Sequence, residues 1–287
     1  MSPHPFACGC ISDRPLRPVY AVITRWGPVR IVRCRRCRLA QADDPPTPEE
    51  ASALYDDRSI YAPPEASAWD ELVTAFRHVA EDLQRAGLPR GKILEVGCHA
   101  GYALQALRQK GYDVSGVERN HACAQFARQR GLAVWSALAE IPLGARFDAV
   151  LLSHVIEHIV DLHLFLQGLR SVSGPNAMLY IKTPNFGSFF ARCVLRGRAP
   201  CFLPRQHVWY FEKSTLTDLL QAHGLVPLQV FTRGFAFARS RTLLKRSARA
   251  AIGVVERALD AGQEIVGLYR WTPEGAADRG LSPCRTR

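Results

Sequence analysis

Apolar positions along this chain change period repeatedly, and each change marks an element. Between residues 92 and 118 a short apolar run (Ile93, Leu94, Val96) stops at a glycine turn, Gly97 to Gly101. A segment with Leu104 and Leu107 on one helical face follows, and then a second β-branched run (Val114, Val117) that ends at Glu118. Strand, glycine loop, helix, strand, acid is the order of a doubly wound nucleotide site. Upstream, Trp69, Leu72, Val73, Phe76, Val79 and Leu83 recur at three- and four-residue steps. They predict one helix over 65–86, stopped by Gly87 and Pro89. Downstream the pattern predicts a helix over 121–130, a third strand over 132–135 and a fourth over 146–153, the last apolar enough to be covered on both faces. A helix over 159–172, a fifth strand over 177–181, a helix over 213–223 and a strand over 226–232 come next. Ser214 caps that second helix and Gly224 stops it. A basic amphipathic helix over 240–258 and a last strand over 263–269 complete the pattern, and the polar tail from Thr272 is expected to be disordered. At the front, residues 20–23 and 29–33 predict the two strands of a hairpin.

Composition bounds the reading. With 287 residues and 47% hydrophobic content, the chain can bury a large core. It divides into a cysteine-containing module (1–45), a linker and cap helix (46–90), a nucleotide-binding domain (91–271) and a tail (272–287). No run reaches the roughly 20 apolar residues of a membrane span, and the start has no secretory pattern, so a cytoplasmic location is expected. Nine cysteines in such a chain read as metal ligands or free thiols. The formal net charge of +11 admits anionic partners. No nucleic-acid motif accompanies it, which leaves RNA as a rival only through the basic hairpin 25–38. The amphipathic helix 240–258 could lie on an anionic membrane or pack on the sheet and at a dimer contact.

The loop chemistry selects the nucleotide. A pyrophosphate cradle wants G-x-G-x-x-G. Here Glu95 precedes Gly97-Cys98-His99-Ala100-Gly101. A carboxylate there repels a pyrophosphate and suits a cationic ligand. The run Leu94-Glu95-Val96-Gly97-Cys98-x-x-Gly101 resembles the first motif of class I S-adenosylmethionine (SAM) methyltransferases, although His99 stands where that family has glycine. The resemblance implies a seven-stranded Rossmann-like methyltransferase sheet, α/β and doubly wound, with its last strand antiparallel. It also implies a transfer reaction in which Glu95, Gly97, Cys98 and Gly101 hold the amino-acid end of SAM. Glu118 and Arg119 would lie at the ribose, and Ser136 and Ala137 at the adenine edge. Ser153 and His154, in a His154-Val-Ile-Glu157-His158 run similar to the family's post-fourth-strand segment, would line the cofactor pocket. A zinc-peptidase reading of the same H-x-x-E-H run needs a helix and a third ligand, whereas the run starts at the end of a buried strand.

Cys8-Gly-Cys10 and Cys34-Arg-Arg-Cys37 flank the hairpin. Two cysteine pairs on adjacent hairpin turns suit tetrahedral Zn²⁺, with His4 able to replace Cys8. The stretch resembles the N-terminal zinc-binding module of a subset of SAM methyltransferases, but its first pair is C-x-C, and Ile11 and Arg38 stand where that pattern has glycine. His207 and Tyr210 lie in an aromatic run resembling the family's acceptor segment; the resemblance places His207, His158 and Tyr210 at the acceptor. His207 is either a general base or a packing residue. The function expected is methyl transfer to a small molecule, such as a sugar, lipid or secondary-metabolite intermediate. RNA methylation and a non-catalytic SAM-fold binding protein are the alternatives.

Overall fold

A computed structural model describes residues 17–24, 27–47, 49–50, 53, 62–189, 191, 203, 206–234, 256 and 258–272. The predicted helix 240–258 and the tail after Thr272 therefore lie almost wholly outside the described residues, as do His4, Cys8 and Cys10.

The main sheet has seven strands: β4 (Lys92–Val96), β5 (Asp113–Val117), β6 (Ala133–Trp135), β7 (Phe147–Ser153), β8 (Ser173–Pro184), β10 (Leu225–Arg233) and β11 (Glu264–Trp271). Their spatial order is β10-β11-β8-β7-β4-β5-β6. The five from β6 to β8 run parallel, and β11 inserts antiparallel between β8 and β10. The expected sheet is therefore present, with its order reversing between β4 and β7. That reversal opens a crevice at the strand C-termini.

Helices cover both faces. α1 (Trp69–Ala75) and α2 (Arg77–Arg85) come first, then α3 (Tyr102–Arg108), α4 (His121–Gln129), α5 (Leu162–Val172) and α6 (Lys213–Ala222). Leu162, Leu166 and Leu169 of α5 are buried at four- and three-residue steps. Removing one such leucine costs about 2–5 kcal/mol in a packed core. The Asn120 side chain caps α4 and Asp161 caps α5, each accepting a backbone N–H at 2.9 Å.

Three expectations are corrected. The helix predicted over 65–86 is broken at Phe76, whose backbone leaves the helical well. The fifth strand is longer than its apolar run, starting at Ser173 directly after α5. The cap of α6 is Glu212, not Ser214: its side chain accepts the Thr215 N–H while the Thr215 hydroxyl accepts the Glu212 N–H.

The hairpin forms as predicted, β1 (Arg17–Thr24) with β2 (Gly27–Arg33), but it is not a two-stranded unit. β3 (Ala40–Ala42) pairs with β2 and also with β9 (Trp209–Tyr210), which lies between β8 and α6 in the chain. Ile31, Ala40, Ala42, Phe186, Ala191 and Tyr210 form a shared core between them. Among the described residues, no helix is long and apolar enough to cross a membrane.

Candidate active site

Every residue expected at the cofactor lies at the C-terminal edge of β4, β5, β6 or β7. Gly97 (φ 74°) and Gly101 (φ 89°) adopt the left-handed conformation that glycine tolerates. A side chain on Gly97 would sit 2.5 Å from Val155 Cγ2, so the loop closes against the β7 edge only with glycine there. Gly97 and Cys98 both donate backbone N–H groups to Val117 O, tying the loop to β5. Cys98 is buried, and burial pushes its thiol well above the usual range. It is a packing residue under the loop.

Glu118 is 7% exposed and accepts two backbone N–H bonds of 2.7 Å, His99 N–H on Oε2 and Asn120 N–H on Oε1. Burial raises its pKa and these bonds oppose the rise. An ionised carboxylate has about four acceptor sites, so the backbone N–H groups of His99, Asn120 and Arg119 hold the carboxylate and leave it capacity for a hydroxyl. Glu95 is buried on β4. Burial first, and then the Glu118 charge, raises its pKa to about 8. Its Oε2 is buried with no hydrogen-bond partner. A cationic group from a ligand would both satisfy that oxygen and favour the carboxylate. The pair therefore fits SAM: one fixed acceptor for hydroxyls and one buried acid awaiting a cation. Arg119, Ser136 and Ala137 are exposed on the loops after β5 and β6, with the Ser136 N–H held by Glu140 Oε2 at 2.9 Å.

Ser153 ends β7, and His154 follows at φ 56°. His154 is wedged between two acids: Nε2 is 2.8 Å from Glu264 Oε1 and Nδ1 is 3.3 Å from Glu157 Oε1. Lys182 Nζ joins Glu264 at 3.2 Å. Burial opposes the charge on His154, but hydrogen bonds to Glu157 and Glu264 raise its pKa to about 9. Glu157, 1% exposed, takes the Thr183 hydroxyl at 2.9 Å. Burial raises its pKa, but the His154 hydrogen bond and the His158 charge outweigh that and bring it to about 2. The run 154–158 is a turn, with a 3₁₀ segment at Ile156–His158, so it lacks the helix a zinc peptidase needs. Sequence reasoning missed Glu264 and Lys182. Only the register of β11 on β8, which sets Glu264 against Pro184, brings them in.

This network sets a pH window for stability. His154 has its folded pKa raised from 6.5 to about 9, so its contribution is complete below 6.5 and declines as pH rises through about 9. Glu157 has its folded pKa lowered from 4.5 to about 2, so its contribution is complete above 4.5 and declines as pH falls through about 2. Melting temperatures followed across pH should plateau between these limits and drop on the alkaline side. His154→Gln should flatten the alkaline drop; an unchanged profile in that variant would remove His154 from the network.

The residues expected at the acceptor also come together. His158 and His207 pack edge to face, ring centroids 4.7 Å apart. The His158 Nδ1–H donates to Gln206 O at 2.8 Å, since a carbonyl can only accept. His207 and Tyr210 join Pro184, Phe186 and Trp209 around a small, partly open pocket. The Glu157 carboxylate lies behind the two imidazoles, and the ligand atoms of Glu157, His158 and His207 are all within 4.8 Å of one another. Among the described residues, this trio is the group able to hold a metal ion. In the hairpin module, Cys34 is buried and Cys37 half-buried on one turn, closed by Arg38 N–H to Cys34 O at 3.0 Å. Arg38 adopts φ 63°, the left-handed conformation that glycine favours, so the arginine does not prevent the turn.

A seven-stranded sheet of this order, with an acid-flanked glycine loop after β4 and a buried carboxylate after β5, defines the class I methyltransferase architecture. The chain matches the family described as methyltransferase domain over residues 72–230, more than half its length, and belongs to that family of SAM-dependent methyltransferases. A ubiquinone biosynthesis O-methyltransferase of Bradyrhizobium diazoefficiens is 33% identical over 147 residues, 47% of this chain and 58% of the relative. C-methyltransferase NovU of Streptomyces niveus is 26% identical over 214 residues, 71% of this chain and 48% of the relative. The chain thus spans about half the length of the curated relatives it matches. Among solved structures, the 1,6-didemethyltoxoflavin-N1-methyltransferase of Burkholderia thailandensis superposes with a TM-score of 0.51 at 16% identity, covering 89% of this chain and 99% of that one. At that identity the likeness speaks for the fold.

Proposed function

We propose that the protein transfers a methyl group from SAM to a small-molecule acceptor, with a hydroxyl as the nucleophile. The observation that carries this reading is His207 at a small pocket beside Pro184, the C-terminal end of β8, with the Glu157 carboxylate, held ionised by its imidazole neighbours, within 4.8 Å of its ring nitrogen. Relatives named for O- and C-methylation of small molecules support the class of acceptor.

When bound, SAM supplies a methyl carbon already activated by its sulfonium. The chain then has to bind, align and exclude water. Glu95 accepts from the cationic amino-acid end, and Glu118 from the ribose hydroxyls. Phe186, Trp209 and Tyr210 wall the acceptor off from water. His207 takes the acceptor's hydroxyl proton as the new bond forms, and Glu157 supplies the negative charge that stabilises the resulting imidazolium, as in other acid–imidazole pairs. The primary test is calorimetry with S-adenosylhomocysteine (SAH), followed by mass spectrometry for methylated products among hydroxylated metabolites. No SAH binding by folded protein would overturn the reading.

The same trio supports a second reading. Glu157, His158 and His207 could together hold a divalent cation that would bind the acceptor oxygen. Turnover abolished by chelation and restored by added metal would select this route over the bare imidazole.

The N-terminal module is proposed to carry one structural zinc on Cys8, Cys10, Cys34 and Cys37. The turn closed at Arg38 supports its second half. Elemental analysis of protein purified without chelator is expected to give about one zinc per chain. Metal-free protein with an intact hairpin would remove the ion from the account.

A further inference from the structure

His99 combines two local costs in one residue. Its backbone is left-handed at φ 50°, a conformation that strains a non-glycine residue. Its Nδ1 is buried with no hydrogen-bond partner, a further cost. Glycine at this position would remove both. Strain held at a ligand loop calls for a ligand that repays it.

The surroundings of the ring say which part of the ligand. The imidazole stacks on Tyr102, centroids 5.7 Å apart at 24°. Its Nε2 is 3.5 Å from Cys123 Sγ. Its own backbone N–H is bonded to Glu118 Oε2, so the ring is rooted at the carboxylate that awaits the ribose. Burial raises the Cys123 thiol to about 12 and lowers the pKa of His99, which leaves a neutral thiol beside a neutral imidazole. The thiol S–H then donates to Nε2, and Nδ1 carries the ring proton.

We propose that His99 is a cofactor-reading residue: its Nδ1–H donates to a ribose hydroxyl of the bound nucleoside, and that hydroxyl in turn donates to Glu118. A hydroxyl both donates and accepts, so it completes a chain from the Cys123 thiol through the imidazole to the carboxylate. A sugar lacking that hydroxyl would leave a buried N–H unpaired and be rejected. The inference rests on the SAM reading above.

The test uses full-length protein, SAH and its 2′-deoxy and 3′-deoxy analogues. Wild type should bind SAH and lose one of the two deoxy analogues by more than tenfold. His99→Gly should bind SAH roughly tenfold more weakly and discriminate that analogue less than wild type does. Without ligand the glycine variant should melt no earlier than wild type, because strain and the unpaired nitrogen are both gone. Equal SAH affinity in wild type and His99→Gly would overturn the inference. So would an unchanged deoxy penalty in the variant, or an earlier melt with normal binding, which would make His99 a packing residue. Failure of wild type itself to bind SAH is a different result and would remove the SAM reading instead.

Discussion

His207→Ala is expected to lower turnover by about 10²–10⁴-fold, the usual span for a general base, while SAH affinity stays nearly unchanged. The two halves of the prediction follow from where the residue sits. His207 lines the small pocket with Pro184, Phe186, Trp209 and Tyr210, whereas the residues proposed for the cofactor lie on the loops after β4, β5, β6 and β7. Its loss should remove the proton acceptor and leave the nucleoside site intact. In wild type the rate should rise with pH as the general base loses its proton, and the variant should lose that dependence. Glu157→Gln should fall between the two, because the imidazole remains but the charge behind it is gone. His207 is 5% exposed, so packing is the competing role. A variant that melts earlier yet turns over normally per folded molecule would assign it to packing alone.

Glu118→Ala is expected to weaken SAH binding by about 1.5–3 kcal/mol, on the order of 10- to 150-fold. The loss has two sources. The carboxylate no longer accepts from the ribose, and the His99 and Asn120 N–H groups lose the partner that orders the loop. Glu118→Gln keeps one acceptor oxygen and should lose less. Titration calorimetry on folded variants decides the matter, and unchanged affinity in Glu118→Ala would end the assignment of this acid to the ribose.

Most of the parallel sheet was legible because its signal is local. Ala149 to Leu152 and Ile93 to Leu94 are fully apolar runs bounded by polar residues, and buried strands must read that way. Glu95 and Glu118 were legible because they stand at fixed offsets from the glycine loop. The break at Phe76 was not. A single 3₁₀-like turn there keeps the three-residue step, so the apolar period runs through it with no glycine or proline to mark it. Phe76 instead turns towards Tyr102, stacking at 6.1 Å. Glu264 was beyond reach for a different reason: its charge matters only beside His154, and strand register across the sheet sets that meeting. The N-cap of α6 was misplaced because a glutamate is an ordinary surface residue until its reciprocal bond with Thr215 is seen.

The pairing of β3 with β9 bears on how such enzymes can be recombined. The strand proposed to wall the acceptor is held from both sides: by the cysteine-bearing hairpin, through Ala40 opposite Tyr210 and the Ala42 N–H on Val208 O, and by the main body, through the Val208 N–H on Glu157 O and the Trp209 indole on Ile159 O. A grafted acceptor loop from a relative would arrive without the edge it was shaped against. The smallest transferable unit for exchanging acceptor preference is therefore discontinuous, residues 17–42 together with the segment through Phe211. A library that shuffles either piece alone should give mostly misassembled pockets, whereas paired exchange should keep the sheet and change what it admits.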